Sequence, residues 1–352
     1  MELGVSQREA FQQCLAYWYY SHVCGEKGWG IVPVIQRVAL DWGRAGHSAL
    51  QVMYGNLSVG KSFQESIQPA IAAVRESLPE SFDENSSDLP GVMGFVEGYA
   101  SFYQNDARDW EVLSTEWDFA IPADLFYPPA LYSYVFPTNS THPPYVLRGT
   151  VDLIVRCRNE SSEQFGQLMV VDHKFKNRLD TSLEHRIPYW MQPRTYCRAV
   201  EISFNEPCRW YVHNQIRKPQ GLRPRAVSYS TVESAAEFIE RVREEYLAYP
   251  DYTVSYPKGK RGYFLRSDPL EVDPDEPRWL LEMLFLDKRI CDARSRIPPA
   301  PGFAEPPPWC TRYSPSFACE RWNQPCVYSA LCSWGHTPAT LAEFVEREDP
   351  HP

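Results

Sequence analysis

The spacing of apolar positions changes along the chain from helical to strand-like and back. Apolar residues recur at roughly helical intervals in the first part, which predicts helices over residues 7–23, 34–54, 62–78 and 88–105. Five later segments have the β-branched, aromatic or alternating character of strands: "WEVLSTEWDFAI", "YVLRGTVDLIV", "QLMVVDHKF", "CRWYVHNQI" and "RAVSYS". Further helices are predicted from near Pro188, over residues 231–249 and over residues 277–294. This order predicts an α/β or α+β fold around a central sheet.

The end of the chain differs from the rest in composition. The stretch "RIPPAPGFAEPPPWC" is proline-rich and predicts an extended linker, the next segment is dense in cysteine, and the tail is acidic. We therefore expect four regions: N-terminal helices (residues 1–106), a core (107–295), a linker with a cysteine cluster packing on the core (296–335), and the tail (336–352).

Composition narrows the class of protein. The 352 residues carry a net charge of −10, which argues against a wholly basic nucleic-acid binder, although "IRKPQGLRPR" and "KGKR" could form a basic groove. We see no signal peptide and no apolar stretch that could cross a bilayer, so we expect a cytoplasmic protein without a membrane partner. Thiols stay reduced there, and the ten cysteines need an explanation other than disulfides.

The segment "MVVDHKFKN" runs a buried strand directly into charged residues. Residues i and i+2 share one face of a strand, so Asp172 and Lys174 point the same way and His173 points the other way. The ordinary interpretation is a salt bridge where the strand reaches solvent. The alternative is an acid and a lysine directed at one reacting group.

A hairpin would bring a second carboxylate to the same place. If "GTVDLIV" and "QLMVVDHKF" pair symmetrically about Ser162, paired residue numbers add to 324 and Asp152 faces Asp172. Like charges directly opposed across a ladder are destabilising, so the pair needs cations. Lys174 supplies one, and a divalent Mg²⁺ or Mn²⁺ held by carboxylate oxygens would supply the rest. A fortuitous surface pair is the alternative.

These residue types suit phosphodiester hydrolysis. A metal between two carboxylates polarises a phosphoryl oxygen and helps to deprotonate a bound water. A lysine beside it stabilises the negative charge that develops in the transition state.

Several short motifs, taken in order, resemble those of the PD-(D/E)XK nucleases in their RecB-like branch. Gly149 with Asp152 matches a Gly-x-x-Asp strand, and Asp172 with Lys174 matches an Asp/Glu-x-Lys strand. The remaining matches are a helix with Gln192 and Tyr196, a glycine–histidine helix with His47 in "GRAGHSAL", and a glutamate strand with Glu116 in "STEWDFAI". The matches cover nearly the whole chain.

The resemblance implies a restriction-endonuclease-like α/β core, in which helices flank a central mixed sheet. The residues it would make catalytic are Asp152, Asp172, Lys174, Gln192 and Tyr196. The metal ligands it implies are His47, Asp152, Asp172, the main-chain carbonyl of His173 and Glu116. Gln192 and Tyr196 would hold the DNA backbone or brace the site, whereas His185 and His213 match no motif and are expected to be structural or on the surface.

The stretch "CERWNQPCVYSALC" resembles the cysteine cluster of iron–sulfur members of this branch, which include phage exonucleases, AddB-type helicase–nucleases and CRISPR-associated nucleases. The resemblance implies a 4Fe–4S cluster on Cys319, Cys326 and Cys332, with Cys14 from the N-terminal helix as fourth ligand. Val327 and Tyr328 depart from the family's usual proline and phenylalanine. A local zinc site formed by Cys310 with the three C-terminal cysteines is the alternative.

Together the motifs imply a metal-dependent DNA exonuclease acting on single-stranded DNA or duplex ends, in viral DNA recombination or processing with a recombination or helicase partner protein. One alternative is a non-catalytic nucleic-acid-binding or scaffold subunit, which the complete set of Asp152, Asp172 and Lys174 argues against. Another is a CRISPR-type end-trimming nuclease within a complex.

Overall fold

The computed structural model describes residues 1–34, 37–77, 88–137, 144–218, 226–228, 231–257, 260–298, 301–310, 320–321 and 324–347. The α-helices are α1 Val5–Gln13, α2 Leu15–His22, α3 Arg37–Ser58, α4 Phe63–Ser77, α5 Asp88–Phe102, α6 Asp106–Asp109, α7 Ala123–Phe126, α8 Pro129–Val135, α9 Met191–Phe204, α10 Ala235–Ala248, α11 Pro277–Arg294, α12 Ser329–Trp334 and α13 Pro338–Leu341. The strands are β1 Glu2–Leu3, β2 Ile31–Pro33, β3 Trp110–Pro122, β4 Val146–Cys157, β5 Leu168–Lys176, β6 Cys208–Arg217, β7 Ala226–Ser228, β8 Thr231–Val232, β9 Phe264–Arg266, β10 Leu270–Glu271, β11 Glu320–Arg321, β12 Gln324–Pro325 and β13 Phe344–Glu346.

The prediction of one helix over residues 7–23 was wrong. The chain forms α1 and α2, separated by Cys14 in extended conformation with φ −167° and ψ 129°. The helix predicted over residues 231–249 begins later, because Thr231 and Val232 form β8 and the Ser234 side chain caps α10 together with Glu237. The prediction for residues 277–294 is confirmed by α11.

The predicted hairpin register is confirmed. Strands β4 and β5 are antiparallel, and the pairs run from Leu153 with Val171 to Arg156 with Leu168, so that paired numbers add to 324. Gly166 closes the turn with a φ of +76°, a conformation open to glycine, and its N–H donates to the carbonyl of Cys157 at 2.9 Å.

The central sheet is mixed, as the α/β prediction requires. Its main strand order is β1-β4-β5-β6-β10, with β3 also paired to β4 and β9 to β6. β5 and β6 are parallel, whereas β4 pairs with β5 and β9 with β6 in antiparallel fashion.

Helices cover both faces of this sheet. On one face, apolar residues of α3, α4, α5 and α10 form a continuous core with Met169 and Val171 of β5. The opposite face of β5 meets α9, since Gln192 of that helix contacts Asp172. Alternation along β5 therefore directs Asp172 and Lys174 to the α9 face and His173 to the core face.

The chain divides into two compact units. One comprises Met1–Val38, Ala120–Gly149 and Asp275–Pro352, and the other Ala39–Phe119 and Thr150–Pro274. The second unit contains strands β5, β6, β9 and β10 and most of β3 and β4. It also contains every predicted catalytic residue. Among the described residues, no helix is both long and apolar enough to span a membrane.

Candidate active site

Asp172 and Lys174 form an ion pair at the end of β5. Lys174 Nζ donates to Asp172 Oδ1 at 2.8 Å, and Gln192 Nε2 of α9 donates to the same oxygen at 3.1 Å. Burial opposes the charge of Lys174, but the carboxylates of Asp172 and Asp152 outweigh it and raise the pKa of the lysine. Lys174 is thus held as a cation beside the two acids.

The second oxygen of Asp172 faces His213. His213 Nδ1 lies 3.6 Å from Asp172 Oδ2, and Lys176 Nζ lies 3.4 Å from His213 Nε2. A lysine can only donate, so Nε2 accepts and Nδ1 carries the hydrogen that faces Asp172. Burial opposes ionisation of Asp172, but Lys174 and His213 outweigh it and hold its pKa below the usual range.

His47, Glu116 and Asp152 form a separate group of possible ligands. One ligand atom from each lies within 4.8 Å of the other two. His47 Nδ1 is 3.4 Å from Glu116 Oε1 and 3.7 Å from Asp152 Oδ2. An imidazole nitrogen and two carboxylate oxygens at this spacing can share one divalent cation.

A close approach of α3 to β5 positions His47. A Cβ atom added at Gly46 would overlap the ring of Phe175, so only glycine lets the helix come this near to the strand. The rings of His47 and Phe175 then lie 5.3 Å apart at a steep angle. The close packing of α3 against Phe175 therefore explains why a glycine, Gly46, precedes the motif histidine.

Glu116 is placed by an unusual backbone conformation. Its φ is +44°, in the left-handed region, although it lies in the middle of β3. Non-glycine residues in this region are uncommon and cluster at functional sites.

Asp152 is strongly affected by its surroundings. Burial raises its pKa to about 7; the carboxylates of Asp172 and Glu116 add to the rise, while His47 and Lys174 oppose it. The backbone N–H of His173 donates to Asp152 Oδ2 at 2.6 Å. A cation at this position would restore the ionised carboxylate.

The side chain of His173 lies in a buried hydrogen-bond network. Asn214 Nδ2 contacts His173 Nδ1 at 2.9 Å and Tyr99 Oη at 2.8 Å. Arg266 donates to Tyr99 Oη at 3.1 Å and forms an ion pair with Asp106 at 2.7 Å. Burial and the charges of His47 and Arg266 keep the pKa of His173 well below its usual value, so the ring is neutral.

Tyr196 lies one turn from Gln192 on α9 and is 9% exposed. Its ring centroid is 6.1 Å from that of Phe119. Burial and the neighbouring Asp172 raise the pKa of Tyr196, so its hydroxyl stays protonated near the Asp172–Lys174 pair.

The structure thus brings the predicted residues into two adjoining groups. Asp172, Lys174 and Gln192 form one, and His47, Glu116 and Asp152 form the other; Asp172 is not among the three described residues that can share one ion. His213, which matches no motif and was expected to be structural or on the surface, is buried and lies against Asp172. Its signal would have been the parallel pairing of β5 and β6, which sets Asp172 opposite His213.

These residues fit a divalent metal. The ligands of the His47 group are of the right kind, and Asp172 Oδ2 is buried with no hydrogen bond from the described residues. A buried carboxylate oxygen that accepts no hydrogen bond is costly unless a cation compensates it.

Of the predicted cluster cysteines, Cys14, Cys326 and Cys332 lie in the first compact unit. Cys310 Sγ donates to the carbonyl of Leu15 at 3.0 Å, next to Cys14. Burial raises the pKa of Cys310 to about 12, and the nearby thiols of Cys14 and Cys332 add to the rise. Cys319 lies outside the described residues. The rings of Tyr17 and Tyr328, from α2 and from the segment between Cys326 and Cys332, have centroids 5.2 Å apart.

Comparison with known families decides the class of protein. A model of the PD-(D/E)XK nuclease superfamily matches residues 2–256. The chain belongs to this superfamily. The match spans His47, Glu116, Asp152, Asp172 and Lys174. No curated protein gives a significant match to the chain.

Membership establishes the general chemistry. PD-(D/E)XK nucleases use divalent metals, and a nuclease domain of this kind implies DNA as its substrate. The His47, Glu116 and Asp152 group is a candidate metal site within it.

Proposed function

We propose that this PD-(D/E)XK protein is a metal-dependent DNA exonuclease of the RecB-like branch that carries a 4Fe–4S cluster. The observation that carries the nuclease proposal is the adjacency of two groups: His47, Glu116 and Asp152 within 4.8 Å, and Lys174 bonded to Asp172 at 2.8 Å. The carboxylate of Asp172 raises the pKa of Asp152 and the ammonium group of Lys174 lowers it, and these interactions between the two groups support a single site.

In this proposal His47, Glu116 and Asp152 would hold Mg²⁺ or Mn²⁺, and Asp172 and the main-chain carbonyl of His173 would complete the ligands. When bound, the metal supplies a polarised phosphoryl oxygen and a more acidic water. Lys174 stabilises the charge that gathers on the phosphate in the transition state, because its ammonium group is already held in place by Asp172.

The remaining motif residues hold this arrangement. Gln192 donates to Asp172 and fixes the carboxylate to which Lys174 is bound. Tyr196 keeps its proton beside the pair and can donate to a phosphate oxygen of the DNA backbone. Both act from α9, one face of which covers the site.

The cluster would be held by Cys14, Cys319, Cys326 and Cys332. Support comes from the nearness of Cys14, Cys310 and Cys332, and from the tyrosine contact that joins α2 to the segment before α12. Four thiolates suit a cubane iron–sulfur cluster. The proposed division keeps Cys14 and His47 in an N-terminal region (1–106), the nuclease core at 107–295, and the C-terminal cysteines in 296–335, followed by the tail.

The proposed substrates are single-stranded DNA or duplex ends, in viral recombination or DNA processing together with a recombination or helicase partner, in a cytoplasmic setting. The support for these details is the order of the motifs and the cysteine spacing in the sequence.

The test uses anaerobically purified protein, Mn²⁺, and end-labelled single-stranded and duplex DNA beside covalently closed circles. We expect labelled ends to be degraded and circles to survive. Asp152→Asn should abolish cleavage and weaken Mn²⁺ binding. Asp118→Asn, the same change at an exposed carboxylate on β3, is the matched control. Normal activity of Asp152→Asn, or equal loss in both variants, would reject the assignment; cleavage of circles would reject exonuclease action.

A further inference from the structure

The first compact unit contains a basic cavity of about 620 Å³. Its cationic lining comes from Lys27, Arg148, Arg294 and Arg347, and the acid in its described lining is Glu2. A volume of this size is in the range of small-molecule pockets. The excess of positive charge contrasts with the net charge of −10 of the whole chain.

Glu2 does not neutralise the cationic lining of the cavity. Arg148 Nη1 pairs with Glu2 Oε2 at 3.0 Å, so this carboxylate balances the charge of Arg148. Among the described residues, neither the Lys27 ammonium nor the Arg347 guanidinium has a carboxylate partner. Glu346 contacts Lys27 through the backbone N–H, at 2.5 Å.

Burial lowers the pKa of His22, and the positive charge of Arg347 adds to this effect. His22 lines the cavity, and the two effects together lower its pKa to about 3. The imidazole is therefore neutral at physiological pH and can serve as a hydrogen-bond partner without a charge of its own.

An aromatic ring accompanies these cations. Trp29 lines the cavity and is 37% exposed, with the Lys27 ammonium 5.0 Å from the ring centroid. Proteins that bind single-stranded nucleic acid commonly combine cations, which contact the phosphates, with aromatic rings, on which the bases stack.

We propose that this cavity binds a phosphate group of the DNA strand through Lys27 and Arg347, with the adjoining base against Trp29. The inference rests on the proposed function in that it takes DNA as ligand, and it adds a contact that uses no catalytic residue.

The test measures binding of labelled single-stranded DNA in EDTA, where cleavage is suppressed, over a series of salt concentrations. The variant is Lys27→Ala with Arg347→Ala. Losing a phosphate contact should make the negative slope of log K against log salt shallower by about 0.7 for single-stranded DNA. The control for loss of positive charge elsewhere on this unit is Arg278→Ala, which removes one positive charge from an 85% exposed arginine of α11.

Further measurements on the same variants distinguish the possible results of this test. Thermal unfolding of the double variant should match wild type, since neither side chain has a carboxylate partner in the described part of the chain. Unchanged affinity and slope, or an equal effect of Arg278→Ala, would overturn the inference. If the double variant loses binding of dAMP or inorganic phosphate but keeps DNA affinity, the DNA assignment is also overturned. Failure of the proposed function would appear separately, as wild-type protein that binds DNA but cleaves none with Mn²⁺.

Discussion

The backbone N–H of His173 donates to Asp152 Oδ2 at 2.6 Å, while the His173 side chain is held in the core by Asn214 at 2.9 Å. One residue therefore connects a ligand carboxylate of the candidate site to a buried polar network. Since the backbone and side chain of a residue move together, the network fixes where the carboxylate of Asp152 can point.

Asn214→Leu tests this connection. The variant leaves the His173 ring and Tyr99 without their shared donor, which should cost about 1–3 kcal/mol of unfolding free energy. If the network also orients Asp152, the Mn²⁺ concentration for half-maximal cleavage should rise. Urea unfolding and Mn²⁺ titration measure the two effects.

Gln68→Leu, an exposed change on α4, is the control and should alter stability by less than about 0.5 kcal/mol. Loss of stability in Asn214→Leu without a change in Mn²⁺ dependence would show that the network is structural only.

The hairpin that carries the acids could be predicted from sequence because its register depends on local alternation and a short turn. The pairs from Leu153 with Val171 onwards follow from that symmetry. The role of His213 could not be predicted in this way. It depends on β6 lying parallel beside β5, a pairing between segments joined by a helix and distant in sequence.

Two other features of the backbone could not be predicted from the local sequence pattern. Apolar spacing continues through Cys14, so a single helix was the natural prediction, yet the backbone becomes extended there. The left-handed φ of Glu116 lies inside a strand whose sequence contains no glycine. In both cases tertiary packing overrides local propensity, and both residues belong to a proposed metal site.

The backbone at Glu116 yields a second prediction. A non-glycine residue in this conformation stores about 1–3 kcal/mol of strain, which glycine would relieve at an entropic cost of roughly 0.5–1 kcal/mol. Glu116→Gly should therefore leave the unfolding free energy unchanged or higher while weakening Mn²⁺ binding. Glu116→Gln, which keeps the strain, should weaken Mn²⁺ binding without a gain in stability. A clear loss of stability in Glu116→Gly with intact Mn²⁺ affinity would contradict both expectations.

Lys174→Ala should separate binding from chemistry. The charge of this lysine matters most in the transition state, so DNA and Mn²⁺ affinities should stay near wild type while the cleavage rate falls by at least about a hundredfold, the usual effect of removing one such stabilising group. Single-turnover cleavage at saturating protein, with anisotropy binding in Ca²⁺, gives both quantities. A variant that cleaves normally, or that simply loses DNA binding, would assign the lysine another role.

Two glycines of α3 form a matched pair for the helix that carries His47. Gly46→Ala forces a Cβ into the ring of Phe175, whereas the space beside Gly55 is open within 4 Å. Overpacking should cost Gly46→Ala about 1–3 kcal/mol and displace His47. Gly55→Ala should instead gain roughly 0.5–1 kcal/mol from helix propensity. Urea unfolding of both variants, with Mn²⁺ affinity, checks this; equal behaviour of the two would show that α3 does not depend on its approach to β5.

The cysteine site gives the last prediction. Anaerobically purified protein should be brown, with broad absorption at roughly 400 nm from Cys-ligated iron. Replacing Cys14 should remove the colour as completely as replacing Cys326, because a cluster held by four thiolates loses its geometry when any one of these ligands is removed.

Cys310→Ala is the matched control, since this thiol is buried beside Cys14 and donates to the Leu15 carbonyl. We expect it to keep the colour. Losing Cys14 should also lower the unfolding temperature more than losing Cys310 does, because a cluster joining distant parts of the chain closes a long loop and restricts the unfolded state most. Iron and zinc analysis completes the test. Zinc without iron would favour the local site of Cys310 with the C-terminal cysteines, and iron that depends on Cys310 but not on Cys14 would remove the link between the two ends of the chain.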